Sequence, residues 1–207
     1  MHGNNSHELS GKGSIQEDTT LVILAGGKSS RMGRPKHLLP TPHGTLIDHL
    51  VKELSPIFAE TVVVGRNLTL SRPGIRTVDD ARPEQCPLVG IYSGLRAAKT
   101  DLAFVLACDL PFVKLELVQY LLSCAACVDI VVPIVNGYYE PLCAAYRRTA
   151  IPVIQETLDR GALKITEIYD RLYLTKVSEP DIRRFDPELS SFANLNTPKQ
   201  LRLLAQL

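Results

Sequence analysis

The sequence contains no tryptophan, only two methionines and five phenylalanines among 207 residues, so its core has to be built from aliphatic side chains. Long apolar runs are missing as well. The longest, Leu21–Ala25, Leu102–Ala107 and Ile130–Val135, fall far short of the roughly 18 residues a membrane-spanning helix needs. A surplus of charge is also absent: 23 Lys and Arg against 22 Asp and Glu leave a net charge of +1, too little for a broad basic face on nucleic acid or an anionic membrane surface. Five cysteines, Cys86, Cys108, Cys124, Cys127 and Cys143, form no set of pairs. Cys124-Ala-Ala-Cys127 has zinc or redox spacing but lacks a second Cys pair or nearby His to complete four ligands, so the cysteines read as small packing residues of a cytoplasmic protein. Met1–Thr20 has almost no apolar content and no hydrophobic stretch of a secretory signal. It reads as a disordered tail (1–20) ahead of one domain (21–207).

What is present alternates. Leu21–Ala25 is an apolar run without polar interruption, as in a strand buried on both faces. Leu46, Ile47, Leu50, Val51 and Leu54 share one face of a helix that Pro56 ends. Strands follow at Thr61–Val64, Ile75–Val78, Leu102–Ala107 and Val128–Pro133, with helices at Val89–Lys99 and Lys114–Ala125. This order predicts an α/β fold: a doubly wound, mostly parallel sheet with helices on both faces. Beyond Pro141 the rhythm is less regular, with an apolar segment Leu142–Tyr146, a helix near Ala150–Leu158 and a last helix from Pro198 to Leu207, capped by Asn196 or Thr197.

The chemistry begins where the first strand ends. Gly26-Gly27 lets backbone N–H groups approach an anion. Gly27-Lys28-Ser29 resembles the end of a P-loop, but Val22 stands where that motif needs its first Gly; Lys28 and Arg31 stand where a dinucleotide fingerprint needs Gly. What remains is Leu24-Ala-Gly-Gly-Lys-Ser-Ser-Arg31-Met32-Gly33-Arg-Pro-Lys36, in which Arg31 and Lys36 bring two cations to a Gly-rich turn. A solvated basic loop is the plain alternative. Asp109, in Ala107-Cys-Asp-Leu-Pro-Phe112, directly follows an apolar strand, at the edge where open α/β sheets bind ligands. It can hold Mg²⁺ on phosphate oxygens or simply close a turn. In Val78-Asp-Asp80-Ala-Arg82, Asp79 or Asp80 can accept from the N1–H and amino group of guanine, or can form a surface ion pair with Arg82.

The Leu24–Lys36 loop resembles the signature of nucleotidyltransferases. With Val78–Gly90, Cys108–Phe112, Tyr139-Glu-Pro-Leu142 plus Tyr146, and Phe192-Ala-Asn-Leu-Asn-Thr-Pro198, the chain resembles the molybdenum cofactor guanylyltransferases over nearly all of 20–207. Ala-Gly-Gly in the first loop sets it apart from related cytidylyl and sugar transferases, which usually carry Ala-Ala-Gly. The resemblance implies a Rossmann-like nucleotidyltransferase fold that transfers GMP from Mg-GTP to molybdopterin. GTP would be bound by Leu24, Ala25, Gly26, Gly27, Lys36, Gly65, Asp80 and Asp109, with Arg31, Lys36 and Asp109 catalytic and Asp109 the magnesium ligand. Glu140, Arg147, Arg160, Lys164, Asn194 and Asn196 become candidates for the pterin acceptor. Molybdenum-insertion proteins and molybdoenzyme chaperones become candidate partners. Two positions depart from the pattern: Gly65 stands where some members have a nucleotide-contacting Asn, and Cys86 where the family prefers Gly. Cytidylyl transfer to the same pterin, sugar-phosphate nucleotidyl transfer and a non-catalytic nucleotide-binding scaffold are the rival readings; the last is disfavoured by the presence of both Lys36 and Asp109.

Overall fold

Four consecutive aliphatic residues, Leu21 to Leu24, bounded by a polar stretch and a glycine pair, suit a strand covered on both faces. That is their setting in the computed structural model, which describes residues 18–26, 35–42, 44–68, 70, 73–195 and 198–204. In chain order the elements are β1 (Thr19–Leu24), the short pair β2 (Pro40–Thr41) and β3 (Gly44–Thr45), α1 (Leu46–Leu54), β4 (Glu60–Val64), β5 (Ile75–Val78), α2 (Pro87–Ala97) and β6 (Leu102–Ala107). There follow α3 (Leu115–Ser123), β7 (Ile130–Val135), β8 (Tyr138–Tyr139), β9 (Cys143–Arg147), α4 (Ile151–Asp159), β10 (Leu174–Val177), α5 (Glu179–Ile182) and α6 (Pro198–Leu203).

The main sheet runs β10-β7-β9-β6-β1-β4-β5, with β8 paired to β7. Pairs β1–β4, β4–β5, β1–β6 and β7–β10 are parallel, whereas β9 lies antiparallel between β6 and β7. The mostly parallel, doubly wound architecture expected from the sequence is therefore the one observed. Successive residues of β1 serve opposite layers: Leu21 and Ile23 pack with Ile47 and Leu50 of α1 and Leu117 and Leu121 of α3. Val22 and Leu24 pack with Leu88, Ile91 and Leu95 of α2 and Ile154 and Leu158 of α4.

The expected start of the domain at Leu21 needs correction. Thr19 and Thr20 already belong to β1 and are wholly buried. Thr20 Oγ1 donates to Glu60 Oε1 at 2.9 Å and lies 2.7 Å from Thr100 Oγ1, so its hydroxyl is buried without being orphaned. Residues 1–17 of the expected tail lie outside the described residues.

Two glycines set how closely α2 lies on β1. A Cβ on Gly94 would fall 2.3 Å from Val22 Cγ1, and one on Gly90 3.2 Å from Leu24 Cδ2. Val22 is enclosed on every side, so overpacking here is expected to cost about 1–3 kcal/mol. Gly94→Ala should lower the melting temperature by about 3–10 °C, read by thermal unfolding. Gly90→Ala should cost less, because the Leu24 methyl tips can give way.

Candidate active site

Counting outward from β1, the chain first lays down β4 and β5 on one side and then crosses to β6 on the other. Such a reversal opens a crevice at the carboxyl ends of the strands. Main-chain bonds lock those ends together: Ala25 N–H donates to Val64 O at 2.8 Å, Cys108 N–H to Leu24 O at 3.0 Å and Gly65 N–H to Val78 O at 3.1 Å. Above them opens a cavity of about 700 Å³, within the range typical of small-molecule sites.

Leu24, Ala25 and Gly26 border this cavity at the end of β1, Asp80 beyond β5, Asp109 beyond β6, and Lys36 on the returning loop. The sequence thus singled out residues that meet in space. Lys36 Nζ lies 2.8 Å from Asp109 Oδ2, and both side chains are about a quarter exposed, at 24% and 22%. Gly27, Arg31 and Asn196 lie outside the described residues. Gly65 does not border the cavity, although its neighbours Val64 and Arg66 do. A Cβ there would meet Gly26 N at 3.1 Å and the Ala25 carbonyl carbon at 3.3 Å, so the backbones of β1 and β4 approach too closely for an unstrained side chain.

Asp79 and Asp80 separate in role. Asp79 Oδ1 accepts from the backbone N–H of Asn67 at 3.2 Å, whereas Asp80 reaches the cavity and accepts from Arg66 Nε at 3.2 Å. The ion pair with Arg82 that stood as the alternative does not form: Arg82 turns to Glu84 and to Asp159 of α4.

Asp109 is braced from the far end of the chain. Its carbonyl accepts from Leu195 N–H at 3.0 Å. Buried Asp186 accepts from the backbone N–H groups of Ser190 at 3.1 Å and Ser191 at 2.7 Å, and Ser191 Oγ in turn accepts from Lys114 N–H at 3.0 Å. Both ends of the 109–114 loop are thereby fixed. Magnesium takes one or two carboxylates and completes its shell with phosphates and water. A single, partly exposed Asp109 beside a lysine matches that donor set, and no cluster of three or more metal-binding side chains occurs among the described residues.

Neighbouring groups stay neutral. Burial, with the adjacent Asp109 charge, pushes the Cys108 thiol up to about 12, so it is no thiolate nucleophile. Burial holds the His37 imidazole below its usual range, against a hydrogen bond to the Ala25 backbone. His37 also borders the cavity, and its Nδ1 is buried without a hydrogen-bond partner.

The acceptor candidates fare less evenly. Arg147 ends antiparallel β9, which carries it to the opposite edge of the sheet, where it pairs with Asp101 at 2.7 Å and donates to the carbonyls of Ala125 and Val128. It is a structural tie, not an acceptor contact. Arg160 and Lys164 do not border the cavity; Arg160 sits 4.0 Å from Glu156 on the surface of α4. Asn194 is exposed beside Leu195. Glu140 lies at the break between β8 and β9, where its N–H donates to Pro133 O and where Pro141 O accepts from the hydroxyl of buried Tyr146 at 2.8 Å. Such a break re-aims the chain: Leu142 O accepts from Ala107 N–H, and Leu142 borders the cavity. Burial pushes the Glu140 carboxyl up.

Residues 21–174 match the family described as the MobA-like NTP transferase domain. The molybdenum cofactor guanylyltransferase of Desulfosudis oleivorans is 35% identical over 186 residues, 88% of this chain and 92% of the relative. That of Syntrophotalea carbinolica is 34% identical over 184 residues, 85% of each chain. The crystal structure of molybdopterin-guanine dinucleotide biosynthesis protein A from Archaeoglobus fulgidus superposes with a TM-score of 0.78 at 29% identity, covering 90% of this chain and 97% of that one. The fold extends to the 2-C-methyl-D-erythritol 4-phosphate cytidylyltransferase of Thermus thermophilus, with a TM-score of 0.67 at 16% identity and coverage of 89% and 96%. The chain belongs to the MobA-like NTP transferase family and is a nucleotidyltransferase, related over most of its length to the molybdenum cofactor guanylyltransferases.

Proposed function

We propose that this chain transfers GMP from Mg-GTP to the terminal phosphate of molybdopterin. An oxygen of that phosphate forms a bond to the α-phosphorus of GTP, the bond from that phosphorus to the α,β-bridging oxygen breaks, and pyrophosphate leaves. The observation that carries the reading is the placement of Lys36 and Asp109 at 2.8 Å on one side of a cavity that Asp80 borders beyond another strand. A phosphate monoester is already a nucleophile at neutral pH, so the residues need only align and neutralise. Lys36 offsets charge on the transferred phosphate, and Arg31 of the signature loop is assigned the same task. Asp109 would hold magnesium, which when bound supplies charge neutralisation on the phosphate oxygens. Asp80 accepts from N1–H and the amino group of guanine, a pairing adenine and cytosine cannot complete. Glu140 is the acceptor-side candidate nearest in the chain to the cavity wall at Leu142.

Within the same reading the chain works in the cytoplasm with molybdenum-insertion proteins and molybdoenzyme chaperones as partners. No helix among the described residues is long and apolar enough to cross a membrane.

The test is thermal stabilisation by GTP, CTP, ATP and UTP, each with and without Mg²⁺. At 100 times its dissociation constant a ligand adds about 2.7 kcal/mol, or about 5–10 °C for a domain of this size. A shift confined to GTP and enlarged by Mg²⁺ is expected. A shift with CTP alone would move the protein to cytidylyl transfer, and no shift with any of the four would overturn the nucleotide site.

A further inference from the structure

Arg66 has no place in the signature motifs, yet it reaches four acceptors beside the cavity. It follows Gly65 at the carboxyl end of β4 and borders the cavity. Its Nε donates to Asp80 Oδ2 at 3.2 Å, while Nη2 donates to the main-chain carbonyls of Arg82 at 3.0 Å, Pro83 at 2.5 Å and Glu84 at 3.4 Å. All four acceptors lie on 80–84, a stretch without helix or strand that runs directly into the cavity wall at Gln85, Cys86 and Pro87. That loop has no ladder; Ala81 N–H donates to Ser93 Oγ of α2 at 2.8 Å and Arg82 pairs with Asp159 of α4, but neither contact touches the Asp80 carboxylate, which is otherwise able to rotate about two bonds. One planar fork fixes both at once. A lysine carries the charge but lacks the fork.

A carboxylate has acceptor capacity on both oxygens. Asp80, gripped through Oδ2, keeps capacity for a base bearing two adjacent donors. We infer that Arg66 is the positioning residue for base selection: by holding Asp80 and the 82–84 main chain in one arrangement, it makes the preference for guanine over a purine lacking the 2-amino group depend on the Arg66 fork. This rests on the reading of Asp80 as the guanine-recognising carboxylate.

The experiment measures the dissociation constants of GTP and of inosine triphosphate, both with Mg²⁺, by calorimetry. The proteins are wild type, Arg66→Met, Arg66→Lys, Asp80→Asn and the Arg66→Met/Asp80→Asn double variant, each checked for a folded melt. Inosine triphosphate lacks only the 2-amino group, so wild type should prefer GTP by about 10-fold or more, as expected for a hydrogen bond to a charged group. Arg66→Met and Arg66→Lys should each bring that ratio to within about 3-fold of unity, chiefly by weakening GTP. In the Asp80→Asn background Arg66→Met should change the ratio no further, since it acts through the same carboxylate. A wild-type ratio in Arg66→Lys would show that charge alone suffices, and an additive fall in the double variant would show a direct Arg66–nucleotide contact; either overturns the inference. Should Arg66→Met not fold, Arg66→Lys decides the question alone. A wild-type ratio in Asp80→Asn instead overturns the assignment of guanine to Asp80 and with it the ground on which Arg66 was placed.

Discussion

Asp109→Ala is expected to abolish measurable nucleotidyl transfer, a loss of at least about 10³-fold in kcat, equivalent to roughly 4 kcal/mol of barrier. The side chain stands at the carboxyl end of β6, in contact with the lysine that faces the triphosphate in the proposed reaction. Removing it deletes the carboxylate proposed to hold magnesium and the partner that orients Lys36. The fold should survive, because the supports of this turn are main-chain bonds: Leu195 N–H to Asp109 O and Leu110 N–H to Ala107 O. The expected signature is a near-native melt in which GTP still stabilises the protein but Mg²⁺ adds nothing. Wild-type turnover in this variant would remove the mechanism whatever the fold.

Lys36→Ala is expected to lower kcat by about 10²–10³-fold, the usual consequence of losing one donor to transition-state charge. It should differ from Asp109→Ala in its response to metal. With Asp109 retained, Mg²⁺ should still enlarge the thermal shift given by GTP, while the shift by GTP alone shrinks. Lys36→Arg should not restore full activity, since a planar fork cannot replace a compact ammonium held 2.8 Å from one carboxylate oxygen. If both variants lose the magnesium response equally, the division of labour between the two residues is wrong.

Much of the parallel half of the fold could be read directly. β6 is found at Leu102–Ala107, the bounds its sequence suggests, because a fully buried strand needs an unbroken apolar run, and Asp101 before it and Asp109 just past Cys108 bracket that run. β1 begins earlier than expected because Thr19 and Thr20 look like a polar tail until the Thr20 hydroxyl donates to Glu60 and meets the Thr100 hydroxyl, both distant in sequence. The antiparallel insertion of β9 was not legible, since an apolar run records burial but not direction. A local clue did exist: Asn136-Gly137, both with positive φ at 51° and 80°, form the tight turn that reverses the chain after β7. That reversal is what carries Arg147 to the far end of β9 from the cavity.

The site divides in the same way. Gly26, Lys36, Asp80 and Asp109 were visible because each closes a strand or belongs to a contiguous motif. Arg66 and His37, which also border the cavity, were not, because their contacts are with other elements: Asp80 and the 82–84 carbonyls for one, the Ala25 backbone for the other. A usable signal for Arg66 is position alone, one residue past Gly65 at the same edge of the sheet that carries the motifs.

The bond from Leu195 to Asp109 also imposes an order on biosynthesis. Strands β1, β4, β5 and β6 can pair while the chain is still being made, so the hollow above their carboxyl ends can form before the residue that steadies the Asp109 turn has been added. That support arrives last, when Leu195 takes its place beside Leu39 and Leu46 and its N–H reaches the Asp109 carbonyl.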